Sequence, residues 1–187
     1  MGLFEFLMIL VSVVIGLGLT ETLSGLGRLL RSRETVRFHW LHALFQFGVF
    51  FALLQQWWES WEWVGLEEIS FLAVLALLAQ PVVLYLIAYL LYPASAENTD
   101  LEAYYYRHAP LLWGLVLAGT LVGNVIRPLV WGSPVLDLSN LSGVPTAAIC
   151  LVLAVTRVRR AHSILAPLLI LILLADTLLS GLEISAR

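Results

Sequence analysis

Long apolar runs separated by short polar stretches dominate the chain. A membrane-spanning helix needs roughly 20 mostly apolar residues, and six runs approach or exceed that length. They cover residues 3–23, 38–58, 70–92, 110–131, 141–156 and 164–182. Lipid offers the backbone no hydrogen bonds, so such runs have to be helical. We therefore predict an all-α integral membrane protein, a bundle of about six transmembrane helices in a single domain over residues 1–187.

The positions of the arginines predict the orientation of this bundle. One cluster follows the first run and a second follows the fifth: Arg28, Arg31, Arg33 and Arg37, then Arg157, Arg159 and Arg160. Basic residues concentrate in cytoplasmic loops, and an even number of spans separates the two clusters, so both are predicted inside. Both termini are then on the non-cytoplasmic side. We expect the protein in the plasma (inner) membrane of a bacterium.

Composition excludes several other classes of protein. The chain is 60% hydrophobic and 12% charged, with a mean hydropathy of +0.92, so a soluble domain of this size could not bury its apolar surface. All ten basic residues are arginine, in groups too small for a nucleic-acid surface. The single cysteine, Cys150, lies in an apolar run and excludes an intrachain disulfide. We expect no cofactor and no nucleic-acid partner.

A few polar residues lie deep in the predicted spans, where an unpartnered polar group costs several kcal/mol. Asp176 lies about 18 Å into the sixth span, and the Arg127 side chain reaches towards the same depth from the fourth. Asn124 shares a helix face with Arg127. An Asp176–Arg127 ion pair could fix helix packing, or these residues could line the path of a solute or ion.

Gln46 and Gln80 fall near the middle of adjacent antiparallel spans. Their carboxamides could bond across the two helices as a structural clasp, or line the same path. Pro81 follows Gln80 and has no N–H to donate, which permits a kink beside a cavity.

The four histidines all map to the predicted cytoplasmic boundary. They are His39, His42, His108 and His162, with Glu21 at a similar depth. Imidazoles from three helices have the right chemistry for a transition metal, a haem or a pH-sensitive switch. Polar residues also accumulate at this boundary without any such role, and a metal site requires that the ligands converge.

Two patterns of small residues predict close helix contact. The first helix carries Ser12, Gly16, Thr20 and Ser24 at four-residue spacing, and the fourth span carries Gly119 and Gly123. Such patterns allow helix backbones to approach closely, either within the fold or between the subunits of a homo-oligomer.

Three functions remain open from the sequence. A transporter or channel for a small solute or ion is favoured, because the chain has almost no mass outside the predicted membrane. A membrane-embedded metal- or haem-dependent enzyme using the histidines is the alternative, although the common catalytic motifs are absent. The third is a non-catalytic assembly subunit of a membrane complex, which would dock a partner through the small-residue patterns.

Overall fold

The structure is a computed structural model that describes residues 2–63, 68–132, 134 and 143–180. This part of the chain is all-helical and contains six helices. They are α1 (Leu3–Arg31), α2 (Trp40–Glu59), α3 (Phe71–Leu91), α4 (Leu101–Trp131), α5 (Gly143–Val155) and α6 (Arg159–Ser180). A short 3-10 helix, Ser60–Trp63, follows α2, and α4 contains one π-helical turn at Val122–Ile126.

Four of these helices, α1, α3, α4 and α6, are long and apolar enough to cross a membrane. The other two fall short for different reasons. Three glutamines and a tryptophan pair lower the hydropathy of α2, whereas α5 has only 13 residues, or about 20 Å of helix. Large apolar side chains also cover the outer faces of the helices. These features are consistent with a helical membrane protein.

Several helices extend beyond the predicted spans. The first was predicted to end at residue 23, but α1 continues through its arginines to Arg31, since arginine is a good helix former. The fourth was predicted to start at residue 110, whereas α4 starts at Leu101. There the Asp100 carboxylate caps the helix by accepting the N–H groups of Glu102 (3.0 Å) and Ala103 (3.1 Å).

Both arginine clusters lie at one end of the bundle, which we call the arginine end. The loop before α2 pairs with the loop before α4: Arg37 forms a 2.8 Å salt bridge with Asp100 and a short backbone bridge beside it. Arg159, at the start of α6, bonds Glu102 at 3.0 Å. Backbone N–H bonds, led by that of Ala103, and the Arg37 guanidinium hold the pKa of Asp100 below its usual range.

The opposite end carries five of the seven tryptophans, and we call it the tryptophan end; they are Trp57, Trp58, Trp61, Trp63 and Trp131. Here the first turn of α1 meets the segment after α2, with the rings of Phe4 and Trp61 centred 5.9 Å apart. Trp57 and Trp61 are 40% and 43% exposed, as expected of residues that anchor a protein at a membrane interface. Neighbouring helices in α1 to α4 therefore run in alternating directions.

Candidate functional site

A cavity of about 820 Å³ lies between α2, α3, α4 and α6, with the start of α5 at its edge. It extends from the middle of the bundle to the tryptophan end. Aromatic and aliphatic side chains form most of its wall, with polar groups from five helices among them. The polar lining residues are Gln55, Gln56, Glu59, Gln80, Thr120, Asn124, Arg127, Thr146 and Asp176.

Four of the five path-lining candidates from the sequence meet at this cavity. Asp176, Arg127, Asn124 and Gln80 come from three helices and all line it, whereas Gln46 does not. In the described part of the structure no salt bridge joins Asp176 to Arg127, so the expected direct ion pair is not formed. The cavity reaches both side chains instead.

The clasp between Gln46 and Gln80 is not formed either. Gln46 Nε2 and Gln80 Oε1 are both buried, and neither atom has a hydrogen-bond partner among the described residues. Gln80 packs against Gly119, where an added Cβ would lie 3.5 Å from its carboxamide. Gly119 therefore serves contact within the fold, and open space surrounds Gly123.

A break in the helical pattern of α4 positions Asn124 and Arg127. Within the π-helical turn the Arg127 N–H bonds the carbonyl of Val122, five residues earlier. Pro128 follows and has no N–H to donate, so the α-helical bond to the Asn124 carbonyl cannot form and the turn is free to widen. The start of α5 then packs tightly here, since a side chain at Gly143 would overlap that of Asn124.

The end of α2 supplies three polar residues that the sequence interpretation missed: Gln55, Gln56 and Glu59. Gln55 Nε2 donates to Glu59 Oε1 at 2.8 Å, while Gln55 Oε1 is buried without a partner in the described structure. Trp63, 5% exposed, also lines the cavity. From the sequence, residues 57–63 were expected at a membrane interface. The 3-10 helix that follows α2 places Trp63 against the cavity instead.

Aromatic side chains close the cavity towards the arginine end. Phe45 and Trp113 stack with ring centres 4.7 Å apart, and both are buried. Trp113 Nε1 donates to the Tyr105 hydroxyl (3.2 Å), which lies 3.0 Å from His162 Nδ1. His162 Nε2 lies 3.0 Å from the carbonyl of Thr156. A carbonyl only accepts, so Nε2 carries the proton and Nδ1 accepts from Tyr105.

The histidines gather at the arginine end, where tyrosine rings pack against them. Four tyrosines, Tyr92, Tyr104, Tyr105 and Tyr106, make ring contacts with them. His108 Nδ1 bonds the Tyr104 carbonyl, and His42 is fully buried with both ring nitrogens unpartnered. Within the described residues, no group of three or more histidine, cysteine or acidic side chains could hold a metal ion.

The small-residue stripe of α1 is not the face that packs inside the fold. Gly16 has open space around it, and Thr20 and Ser24 are exposed. The packed face carries Gly18 and Gly25 instead. An added Cβ at Gly18 would lie 2.8 Å from Leu53, and one at Gly25 would overlap the Tyr92 ring. Among the described residues, Glu21 forms no hydrogen bond or salt bridge with a histidine.

In the described structure, charged, amide and aromatic groups from several helices thus meet at this cavity. Its size falls within the range of small-molecule sites, roughly 300–1,000 Å³. Comparisons of the chain with protein-family models, with curated proteins and with solved structures found no match.

Proposed function

We propose that the protein is a multi-pass membrane transporter that carries a small solute through the cavity. One observation carries this proposal: Gln80, Asn124, Arg127 and Asp176, polar residues within apolar helices, line one cavity. Gln80 Oε1 is buried without a hydrogen-bond partner in the described structure, whereas a glutamine that only fixed helix packing would be paired inside the protein. Arg127 has no ion pair with a described acidic side chain.

The orientation follows from the arginines. We propose six spans, including α2 and α5, with the arginine end in the cytoplasm, both termini outside, and the plasma membrane of a bacterium as the location. The cavity then faces the outside. A solute would enter from the tryptophan end and reach Arg127 and Asp176 before the Phe45–Trp113 stack.

A transporter fits this geometry better than an open channel does. Phe45 and Trp113 are both buried. On their arginine side lie the buried, hydrogen-bonded side chains of Tyr105 and His162. The described lining of the cavity reaches this aromatic layer and includes neither Tyr105 nor His162 on its arginine side. Transport therefore requires a second state in which this aromatic layer opens and the outer entrance closes.

A flux measurement tests the proposal. Purified protein in liposomes is supplied with labelled amino acids, sugars, organic acids and inorganic cations, and uptake is compared between the wild type and an Asp176→Asn variant. We expect saturable uptake of at least one solute and its loss in the variant, because the amide removes the charge but keeps the shape. The matched control is Glu97→Gln, an exposed acid outside the cavity. Equal uptake by the wild type and Asp176→Asn would contradict the proposal.

A further inference from the structure

A second pocket, of about 510 Å³, lies at the arginine end, and we call it the arginine pocket. Its charged and aromatic lining residues are Arg37, Asp100, Glu102, Tyr106, Arg157 and Arg159. The three arginines come from the loop before α2, the link between α5 and α6, and the first turn of α6. The fold therefore brings guanidinium groups from different parts of the chain to one place.

Two acids at the start of α4 hold two of these arginines. Arg37 binds Asp100 at 2.8 Å, and Arg159 binds Glu102 at 3.0 Å. Since Asp100 and Glu102 are only two residues apart, both guanidinium groups lie beside the same turn of helix. The guanidinium carbon of Arg159 also lies 5.8 Å from the centre of the Tyr106 ring. These contacts fix two guanidinium groups next to each other at the pocket.

The third arginine, Arg157, gives the pocket an excess of positive charge. It is exposed and forms no salt bridge with a described acidic side chain. Three arginines against two acids leave the lining with a formal net charge of +1. A guanidinium has five N–H donors, so Arg37 and Arg159 keep donors free beside their salt bridges. Donors of this kind around one space match the oxygen atoms of a phosphate group.

The residues beside these arginines favour a lipid as the source of the phosphate. Phe38 follows Arg37 and is 75% exposed, and Val158 lies between Arg157 and Arg159 and is 59% exposed. Exposed apolar side chains next to arginines suit the boundary between acyl chains and headgroups. The charge agrees, because the phosphodiester of a lipid carries one negative charge and balances the excess of +1, whereas a free phosphate carries more than one at pH 7.

We propose that the arginine pocket binds the headgroup of an anionic phospholipid. The phosphodiester oxygens accept hydrogen bonds from the guanidinium groups of Arg37, Arg157 and Arg159, and the acyl chains lie on the exposed apolar side chains beside them. The bound lipid joins the loop before α2 to the link between α5 and α6. This inference requires only that the protein lies in a membrane, so it is independent of transport through the larger cavity.

Lipid binding to the purified protein tests the proposal. The protein in an uncharged detergent is titrated with phosphatidylglycerol or with phosphatidylcholine, each with two oleoyl chains, and bound lipid is measured by native mass spectrometry. Both lipids contain the phosphodiester, but choline adds a positive charge to a pocket that already has an excess. We expect phosphatidylglycerol to bind at least about fivefold more tightly, which is the effect of roughly one charge at a basic surface.

Two neighbouring arginines provide a matched pair of variants. Arg157→Gln should lower the affinity for phosphatidylglycerol at least about fivefold, and it breaks no described salt bridge. Arg160→Gln removes the same charge from an exposed position that does not line the pocket, so it should leave the affinity unchanged.

A competition with inorganic phosphate separates the two sources of a phosphate group. Millimolar ammonium phosphate replaces ammonium acetate at equal ionic strength, and we expect the binding of phosphatidylglycerol that depends on Arg157 to persist. Its displacement would show that the pocket takes free phosphate rather than a lipid. Equal affinities for the two lipids would also overturn the proposal. So would equal losses in Arg157→Gln and Arg160→Gln, since they would show a diffuse attraction to basic residues instead of a defined site.

Discussion

His42 shows what a single buried residue contributes when it has no polar partner. Its side chain is fully buried, and neither ring nitrogen has a hydrogen bond within the described structure. The edges of Tyr92 and Tyr104 surround it, with ring centres 6.5 Å and 5.9 Å away. A flat ring of this size fills the space between the tyrosines. The unpaired ring nitrogens of His42 lower the stability of the fold. His162 differs, because both of its ring nitrogens form hydrogen bonds.

Replacing each histidine with phenylalanine should therefore have opposite effects. His42→Phe should leave stability unchanged or raise it by about 1–3 kcal/mol, because it removes unpaired polar atoms and keeps an aromatic ring. His162→Phe should lower stability by about 1–3 kcal/mol, because the Tyr105 hydroxyl loses its acceptor and the Thr156 carbonyl its donor. Thermal unfolding in detergent measures both. A clear loss of thermal stability in His42→Phe would show that the His42 ring nitrogens do stabilise the fold.

At the scale of single elements, the π-helical turn in α4 is the feature on which the cavity most depends. It lies at Val122–Ile126, between Gly119 and the last turn of the helix, and it places Asn124 and Arg127 on the cavity wall. An α-helix advances about 100° per residue, and a π-helical turn holds about one residue more than an α-helical turn. Converting this turn to regular α-helix would therefore rotate Arg127 by about 100° relative to the first part of α4.

Pro128→Ala tests this dependence. Alanine restores an N–H that can bond the Asn124 carbonyl and favours a regular α-helix, which should raise stability by up to about 3 kcal/mol. Uptake in liposomes should fall, because Arg127 would turn away from the solute. Pro110→Ala is the control, since Pro110 lies in a regular α-helical part of α4 outside the cavity. Full uptake by Pro128→Ala would show that the turn has no part in the site.

Elements also show how far the sequence could predict the site. The apolar runs predicted the helices, and the depth of Asp176 and Arg127 in their runs singled out residues that do line the cavity. The sequence did not predict Gln55, Gln56 and Glu59, because they lie beside tryptophans that are typical of a membrane interface. Their inward position depends on how α2 packs against α3, α4 and α6. Such packing is not encoded in the hydropathy of one segment.

For the whole molecule, the two ends of the bundle have different roles. At the arginine end, salt bridges link the loop before α2 and the starts of α4 and α6; the pairs are Arg37–Asp100 and Arg159–Glu102. The buried, hydrogen-bonded Tyr105–His162 pair lies between these salt bridges and the cavity. The cavity occupies the half towards the tryptophan end. If the arginine end lies in the cytoplasm as proposed, water and solute must reach the middle of α4 from outside the cell.

Chemical access to the middle of α4 tests that claim most directly. Thr120 lines the cavity, whereas its neighbour Leu121 is 46% exposed on the outer face of the helix and does not. Each is changed to cysteine in a Cys150→Ala background, because Cys150 is the chain's single cysteine. Intact cells are then treated with a membrane-impermeant thiol reagent.

We expect the reagent to modify Thr120→Cys from outside and to block uptake, and an excess of solute to slow the modification. Leu121→Cys, exposed on the outer face of the same helix, should stay unmodified with uptake unchanged. An unreactive Thr120→Cys whose uptake persists in the presence of the reagent would contradict the claim that the cavity is the path of the solute.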